Sequence, residues 1–532
     1  MLKKRMQLEE KYMSHAHAVS IAAALDRRFR WSRNDVLLIS DGQRYTGGDL
    51  EIQVGHVAGT FLDIGIGPGD VVALIGENTA RFYVAYMAVH RIGAVACILH
   101  ARESEQRISA AMTHVGCKLV VTDAETCSLA ERANLLRDTP VPVFFLDDDN
   151  APSDAITYAS CLERPATPLA LPEVSSDDPA TILLSSGSTG TPKAVLHSQY
   201  SLISQWNNAR HLYRALNSQT RFLQMVGTSF AAWAYTGLPV INAGGTIVTG
   251  RRFDPEEFCR LVQAEAVNVV AGVPTMFRMI DDSIAQKYDL SSVHTVGISG
   301  EVVQDRDVKQ VLTWSPQARV QVFYTTSEMG PACTTLCCHE DIVERGKIGS
   351  VGRPLPNADL RIVDPEGGIE YEVPVGVIGE IVTTGPAYAS GYLGDAARTA
   401  ERFVGGWWRS GDLGRLDEDG FLFFEGRADN TINTGGIKVH GEEIEETLML
   451  HPLVRQAAVV GVPDPRWGSA ITASVVTTGH VTEEDLLRFC KAEGLVSFKR
   501  PKKIHFRNQL PLGPTGKLDR GALKRELLEN QD

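Results

Sequence analysis

No apolar run in this 532-residue chain approaches the ~20 residues that a membrane-spanning helix needs. The stretch 18–25 is short, is interrupted by Ser20 and runs into Asp26-Arg27-Arg28, which reads as an amphipathic first helix. Lys3-Lys4-Arg5 is followed by Gln7, Glu9 and Glu10, not by an apolar secretion core. No targeting segment is expected, Met13 is an alternative start, and the cytoplasm is the expected compartment. Excess positive charge is also missing. With 52 Lys and Arg against 65 Asp and Glu, the net charge of −13 argues against a general nucleic-acid or anionic-membrane binder. A local basic site for a phosphate compound remains compatible with it. Cysteine is sparse: nine residues, an odd number, leave at least one unpaired. Cys333, Cys337, Cys338 and His339 lack a second CxxC half, and adjacent Cys337 and Cys338 point different ways on regular backbone. They read as strand or loop thiols, not as a metal site. Walker A, nucleophile-elbow and HExxH patterns are absent too, which removes the common signatures of P-loop, serine-hydrolase and zinc-protease chemistry.

What is present is an α/β alternation. At about 150 residues per domain, the length calls for three or four structural units. Hydrophobic residues at 43% and charged residues at 22% are ordinary for globular chains and exclude global disorder. Residues 71–75 read as a buried strand behind the turn Gly67-Pro68-Gly69-Asp70, 81–91 as a helix and 93–99 as the next strand. The strand signal repeats at 119–122 and 143–146, and 149–178 reads as a long polar connection. Residues 258–264 are predicted helical, 268–272 a strand and 275–284 a helix. From about 345 to 424, short strands between Gly, Pro and Asp turns suggest a small β-rich unit. Helix 442–450, strand 457–462 and helix 483–492 follow, and the boundary is placed near 426–429, dividing the chain into 1–428 and 429–532.

The strand Ile182-Leu183-Leu184 runs into Ser185-Ser186-Gly187-Ser188-Thr189-Gly190-Thr191-Pro192-Lys193. Small residues let backbone N–H groups approach an anion, hydroxyls donate further hydrogen bonds and Lys193 adds positive charge. That chemistry suits the phosphates of ATP.

This loop resembles the signature loop of the adenylate-forming superfamily, which includes acyl- and aryl-CoA ligases, firefly luciferases and peptide-synthetase adenylation domains. Tyr324-Thr325-Thr326-Ser327-Glu328 is similar to that family's Tyr-Gly-x-Thr-Glu. Gly379-Glu380-Ile381, Gly391-Tyr392, Ser410-Gly411-Asp412, Gly426-Arg427-Ala428-Asp429 and the segment 511–517 follow in the family's order. The match runs from about residue 40 to 520 and is nearest to the acyl- and aryl-CoA ligases.

The resemblance implies an α/β fold: a large N-terminal domain with two helix-flanked sheets and a small β-barrel-like unit, then a small mobile α+β C-terminal domain. It implies activation of a small carboxylic acid by ATP and Mg²⁺ to an acyl-adenylate with release of pyrophosphate, then transfer to CoA. Alternatives are a separate carrier protein or a non-thiol nucleophile such as an amine, and, outside enzymology, a degenerate nucleotide-binding sensor. A carboxylic acid with a pKa of about 4.3 is already ionised at neutral pH, so adenylation needs no general base, only positioning and charge neutralisation. By resemblance, Glu328 holds Mg²⁺, Ser327 meets phosphate, Asp412 accepts from the ribose hydroxyls and Arg427 assists there. Gly300, Glu301, Tyr324 and Thr325 fall where the family lines its nucleotide site, and Lys517 is the adenylating lysine. Asp429 matches the hinge, and Gly435, Gly436 and Lys438 match the turn that meets the pantetheine arm.

Departures bear on specificity. Gly441 stands where many CoA ligases carry Pro, and Asn433 replaces a common Lys, which bears on the acceptor. Ala234 occupies the His position of a His-x-x-Gly pattern and Thr325 replaces a Gly. The acid pocket is expected along Trp233, Ala234, Thr325 and Met329, with a lean toward aromatic or medium-length acids. Lys499, Arg500, Lys502 and Lys503 are candidates for CoA phosphates, with a solvated basic face as the expected reading. No carrier domain is expected after residue 520, and the expected assembly is a monomer or homodimer.

Overall fold

The computed structural model describes residues 20–148, 151–153, 155–163, 170–185, 193–214, 216–301, 303–434, 437–465, 467–513 and 518–529. Ser186, Gly187, Ser188, Thr189, Gly190, Gly435, Gly436 and Lys517 lie outside them, and only the backbone of Ser185, Asp429 and Lys438 is described. The chain divides into two compact units, Met1–Asp359 with Thr384–Phe403, and Leu360–Thr383 with Val404–Asp532.

In the first unit, short strands form a sheet in the order Ser350–Pro354, Gly330–Cys337, Arg319–Thr326, Thr295–Ile298, Val269–Gly272, Arg221–Gln224, Thr246–Thr249, Val36–Ser40 and Gln43–Thr46. Its central neighbours run parallel, so each connection crosses back through a helix, among them Ala231–Asn242, Pro255–Ala264 and Asp305–Trp314. A second, eight-stranded sheet has the order Gly391–Tyr392, Lys193–Ser198, Pro179–Ser185, Val95–Ile98, Val71–Ile75, Cys117–Thr122, Val143–Phe145 and Ile156–Thr157. One core cluster draws Leu37, Leu38, Phe222 and Ile247 from the first sheet and Val72, Leu74, Ala96 and Leu119 from the second. The helix Ala80–Arg91 is buried from Phe82 through His90, as a helix without a polar face must be.

In the second unit, four strands neighbour one another in the order Asp359–Val363, Gly379–Thr384, Trp407–Leu416 and Leu422–Arg427. The hairpin Thr431–Thr434 with Ile437–His440 and the helix Gly441–Met449 follow. A sheet of Val454–Asp464, Gly468–Thr477 and Lys503–Phe506 comes next, with helices Glu483–Ala492 and Arg520–Glu529. Ile432, Val439, Ile444, Leu448, Val459, Ile471 and Val475 build its core. The fold is α/β, a large body of sheets and helices with a smaller C-terminal domain, as the resemblance implied. Among the described residues no helix is long and apolar enough to cross a membrane.

Three local readings need correction. Residues 275–284 are two short helices, Pro274–Arg278 and Asp282–Ala285, because Asp281 turns its carboxylate onto the Ile284 N–H at 3.1 Å and starts a new helix. The polar connection 149–178 contains the strand Ile156–Thr157 and the helix Tyr158–Leu162. Thr157 and Ser160 form its capping box, while Tyr158 and Cys161 are buried. The strand expected from residue 93 begins at Val95, since Gly93 sits at φ 73° in the preceding turn.

Candidate active site

The antiparallel strands Arg319–Thr326 and Gly330–Cys337 meet at the register pair Thr326–Gly330, which leaves Ser327, Glu328 and Met329 as a tight loop. Local chemistry closes it. Thr325 Oγ1 donates to the Gly330 carbonyl at 2.6 Å, and Thr326 Oγ1 accepts from the Met329 N–H at 3.2 Å. Gly330 has φ 67°, and a Cβ there would fall inside the Gln205 amide, so the position requires glycine. Tyr324 before the loop and Met329 within it are both buried.

Glu328 is 8% exposed. Its Oε1 accepts from the Tyr392 hydroxyl at 3.0 Å, and among the described residues no group donates to its second oxygen. The Glu328 carbonyl accepts from the Ala389 N–H at 2.8 Å. The Ser327 carbonyl has two donors, the Tyr235 hydroxyl at 3.0 Å and His197 Nε2–H at 2.8 Å. Full burial holds the His197 imidazole neutral by pushing its pKa down to about 4. With Nε2 donating to a carbonyl, Nδ1 accepts from the Gln205 amide at 3.1 Å. Gln205 Nε2 and Ser201 Oγ both also donate to the Ala387 carbonyl at 2.9 Å. Sequence reasoning assigned no role to any of these supporting residues. The signals were faint: Tyr392 within the Gly391-Tyr392 pair, and a polar His197 directly after the apolar run Ala194-Val195-Leu196.

Among the described residues no three His, Cys, Asp or Glu side chains gather as a metal cage. A single buried carboxylate with one oxygen tied fits Mg²⁺, which commonly takes one or two carboxylates together with substrate phosphates. Cys337 is buried, and Cys338 caps the helix His339–Val343 with its thiol on Asp341 at 2.9 Å.

Strands Pro179–Ser185 and Lys193–Ser198 pair antiparallel with Ser185 opposite Lys193. The two ends of the Ser/Gly/Thr segment between them are therefore held side by side, and the strand leaving it carries His197. Its other neighbour is Gly391–Tyr392, with Tyr392 opposite Val195.

Gly300, at φ 83°, follows the strand Thr295–Ile298, and exposed Glu301 accepts from Thr275 Oγ1 at 2.9 Å. Trp233 is an aromatic core residue, 1% exposed, its centroid 5.3, 4.7 and 5.1 Å from those of Phe82, Tyr83 and Tyr86. Its indole N–H donates to Asn78 Oδ1, and Ala234 beside it is buried.

In the second unit, strands Trp407–Leu416 and Leu422–Arg427 set Asp412 opposite Arg427, whose Nε lies 3.2 Å from Asp412 Oδ1. Asp412 is 3% exposed, and the turn presenting it is pinned from two sides. Glu380 accepts from the Gly411 N–H at 3.0 Å while pairing with Arg409 Nε at 2.9 Å. Ser410 Oγ donates to the Ile381 carbonyl at 2.6 Å and accepts from the Asp412 N–H at 2.9 Å. The Gly379-Glu380-Ile381 and Ser410-Gly411-Asp412 motifs are thus one structural piece. Asp429 falls in the 3₁₀ turn Ala428–Asn430, and Asn430 donates to Glu442 at 2.8 Å. Lys438 pairs with Asn433 across the following hairpin, and Lys499 is engaged by Glu443 at 2.7 Å.

Two family profiles match the chain: AMP-binding enzyme over residues 25–393 and AMP-binding enzyme C-terminal domain over residues 443–517. A feruloyl-CoA synthase of an Amycolatopsis species is 32% identical over 507 residues, covering 94% of this chain and 97% of that protein. The ATP-bound structure of MatB from Rhodopseudomonas palustris matches with a TM-score of 0.83 at 25% identity, over 95% of this chain and 98% of that one. The amide bond synthetase McbA from Marinactinospora thermotolerans matches with a TM-score of 0.84 at 26% identity, over 95% and 99%.

Proposed function

The chain belongs to the AMP-binding enzyme family as an AMP-forming ligase of the acyl- and aryl-CoA synthetase type, and from that premise we propose that it joins an aromatic or medium-length carboxylic acid to CoA through an acyl-adenylate. The observation that carries the reading is Glu328, a nearly buried carboxylate with one oxygen tied by Tyr392, in the same unit as the two strands that flank the phosphate loop. Similarity to a feruloyl-CoA synthase supports an aromatic acid.

Each residue has a task set by its chemistry. The acid, ionised at neutral pH, attacks the α-phosphorus of ATP without a general base. Two anions must then be brought together, so the site's work is neutralisation and alignment. The loop around Ser186–Gly190 offers N–H and hydroxyl donors to the phosphates, and Lys193 adds charge at its edge. Glu328 would hold Mg²⁺, which offsets phosphate charge when bound. Asp412 takes the two ribose hydroxyls on its carboxylate, with Arg427 alongside. Lys517 neutralises the charge that develops at the α-phosphate. After pyrophosphate leaves, rotation at Asp429 exchanges Lys517 for the turn Gly435-Gly436-Ile437-Lys438, past which the thiol of CoA reaches the adenylate and displaces AMP.

A second reading, transfer to an amine, is favoured by the match to the amide bond synthetase and by Gly441 and Asn433, which depart from the common CoA-ligase residues. The acceptor is decided by incubating the enzyme with MgATP and a panel of hydroxycinnamic, benzoic and medium-chain acids, each with CoA, a carrier protein or an amine. One acid is expected to give its CoA thioester in step with AMP. An amide formed with AMP while CoA is left unacylated would establish the second reading.

A further inference from the structure

The loop holding Glu328 belongs to the hairpin of one sheet, yet the groups that grip it come from elsewhere in the same unit. His197 and Tyr392 sit on paired strands at the edge of the second sheet, and Tyr235 on the helix Ala231–Asn242. His197, Ser201, Gln205, Tyr235 and Tyr392 are all buried. Burying this many polar side chains costs stability unless each finds a partner, and an apolar core would fill the same space at lower cost. Their bonds converge on adjacent groups. Two donors on the Ser327 carbonyl fix the plane of the peptide joining Ser327 to Glu328. One donor on Glu328 Oε1 fixes the rotation of the carboxylate, leaving the other oxygen for a cation. The strand that carries His197 begins at Lys193, the end of the phosphate loop.

We propose that Tyr392 and His197 are positioning residues that preset the Glu328 carboxylate for the divalent cation of the nucleotide. The inference rests on the assignment of Glu328 to that cation. Neither residue touches the cation or the acid; each acts by orienting a group that does. Removing an outer partner of a metal-binding carboxylate typically weakens metal affinity about 10- to 100-fold.

The test is binding of Mn²⁺ in the presence of a non-hydrolysable ATP analogue, read by electron paramagnetic resonance, for the wild type, Tyr392→Phe, His197→Gln, His197→Leu and Glu328→Gln. Phenylalanine keeps the ring against Phe403, 5.8 Å between centroids, and removes only the hydroxyl. Glutamine can restore a donor to the Ser327 carbonyl, whereas leucine cannot. Tyr392→Phe and His197→Leu are expected to weaken Mn²⁺ binding about 10- to 100-fold, with His197→Gln between them and the wild type. In pyrophosphate exchange, Tyr392→Phe should raise the Mg²⁺ concentration for half-maximal rate by a similar factor and recover most of its rate when Mg²⁺ is saturating. A merely structural role would lower Tm and leave cation affinity unchanged. If Glu328→Gln weakens Mn²⁺ binding but Tyr392→Phe and His197→Leu do not, the positioning role is overturned and the Glu328 assignment stands. If Glu328→Gln leaves binding unchanged, the assignment itself falls, and this inference with it.

Discussion

Lys517→Ala is expected to lower acid-dependent ATP–pyrophosphate exchange about 100- to 1,000-fold, while the variant still converts a supplied acyl-adenylate to its thioester. The asymmetry follows from where charge develops. In adenylation a carboxylate approaches a polyanion, and the entering oxygen and the departing pyrophosphate both crowd negative charge onto the α-phosphate. A chain with a net charge of −13 gains nothing there from its overall field, so cations must be delivered one at a time. In thioester formation the thiol attacks the acyl carbon and not phosphorus, so no anion has to approach a polyanion, and the only charge gained is the one left on the departing AMP oxygen; a cation beside the α-phosphate is needed less there. The flanking chain is suited to hold a loop in place. Leu512 bridges Leu518, and the Asp519 N–H donates to the Pro511 carbonyl at 2.9 Å, which closes the segment just before the helix Arg520–Glu529. Stopped assays of exchange and of adenylate consumption check the two halves separately. Equal loss in both would remove the adenylation role from Lys517.

Asp429→Pro is expected to do the reverse: exchange retained within a few-fold and acyl transfer reduced at least 100-fold. Proline locks its own φ near the value of a 3₁₀ turn and restricts the residue before it. Asp429 stands in the turn Ala428–Asn430, between the strand Leu422–Arg427, whose last residue meets Asp412, and the hairpin beginning at Thr431. Freezing backbone rotation at that point hinders passage from one pose to the next while leaving Asp412, Arg427 and Lys517 unchanged. Product formation with pre-formed adenylate and CoA is the check. Unimpaired transfer would deny Asp429 the hinge.

The parts of this protein legible in its sequence are those in which neighbours along the chain determine the outcome. The helix Glu483–Ala492 lies at the predicted bounds because Thr482 and Asp485 make a capping box at its start. The quoted motifs Ser410-Gly411-Asp412 and Gly426-Arg427 are bonded to each other across one strand pair. What stayed hidden is the support beneath Glu328. His197 reaches Ser327 across 130 residues, and Ser201 reaches Ala387 across 186, so no periodicity or spacing connects them. A histidine on a strand is indistinguishable in sequence from any buried polar residue; it acquires meaning only when the second sheet's edge is seen against the hairpin. Trp233 illustrates the converse. Its sequence neighbourhood left a pocket cap and an ordinary core residue equally open, and only the structure shows its ring packed on Phe82, Tyr83 and Tyr86.

Attack of the acid's own carboxylate oxygen on the α-phosphorus is decided by isotope transfer. An acid labelled with ¹⁸O in its carboxylate is turned over with MgATP and CoA, and the AMP and pyrophosphate are analysed by mass spectrometry. AMP carrying one ¹⁸O atom and unlabelled pyrophosphate are expected. Unlabelled AMP, or label found in pyrophosphate or orthophosphate, would contradict it.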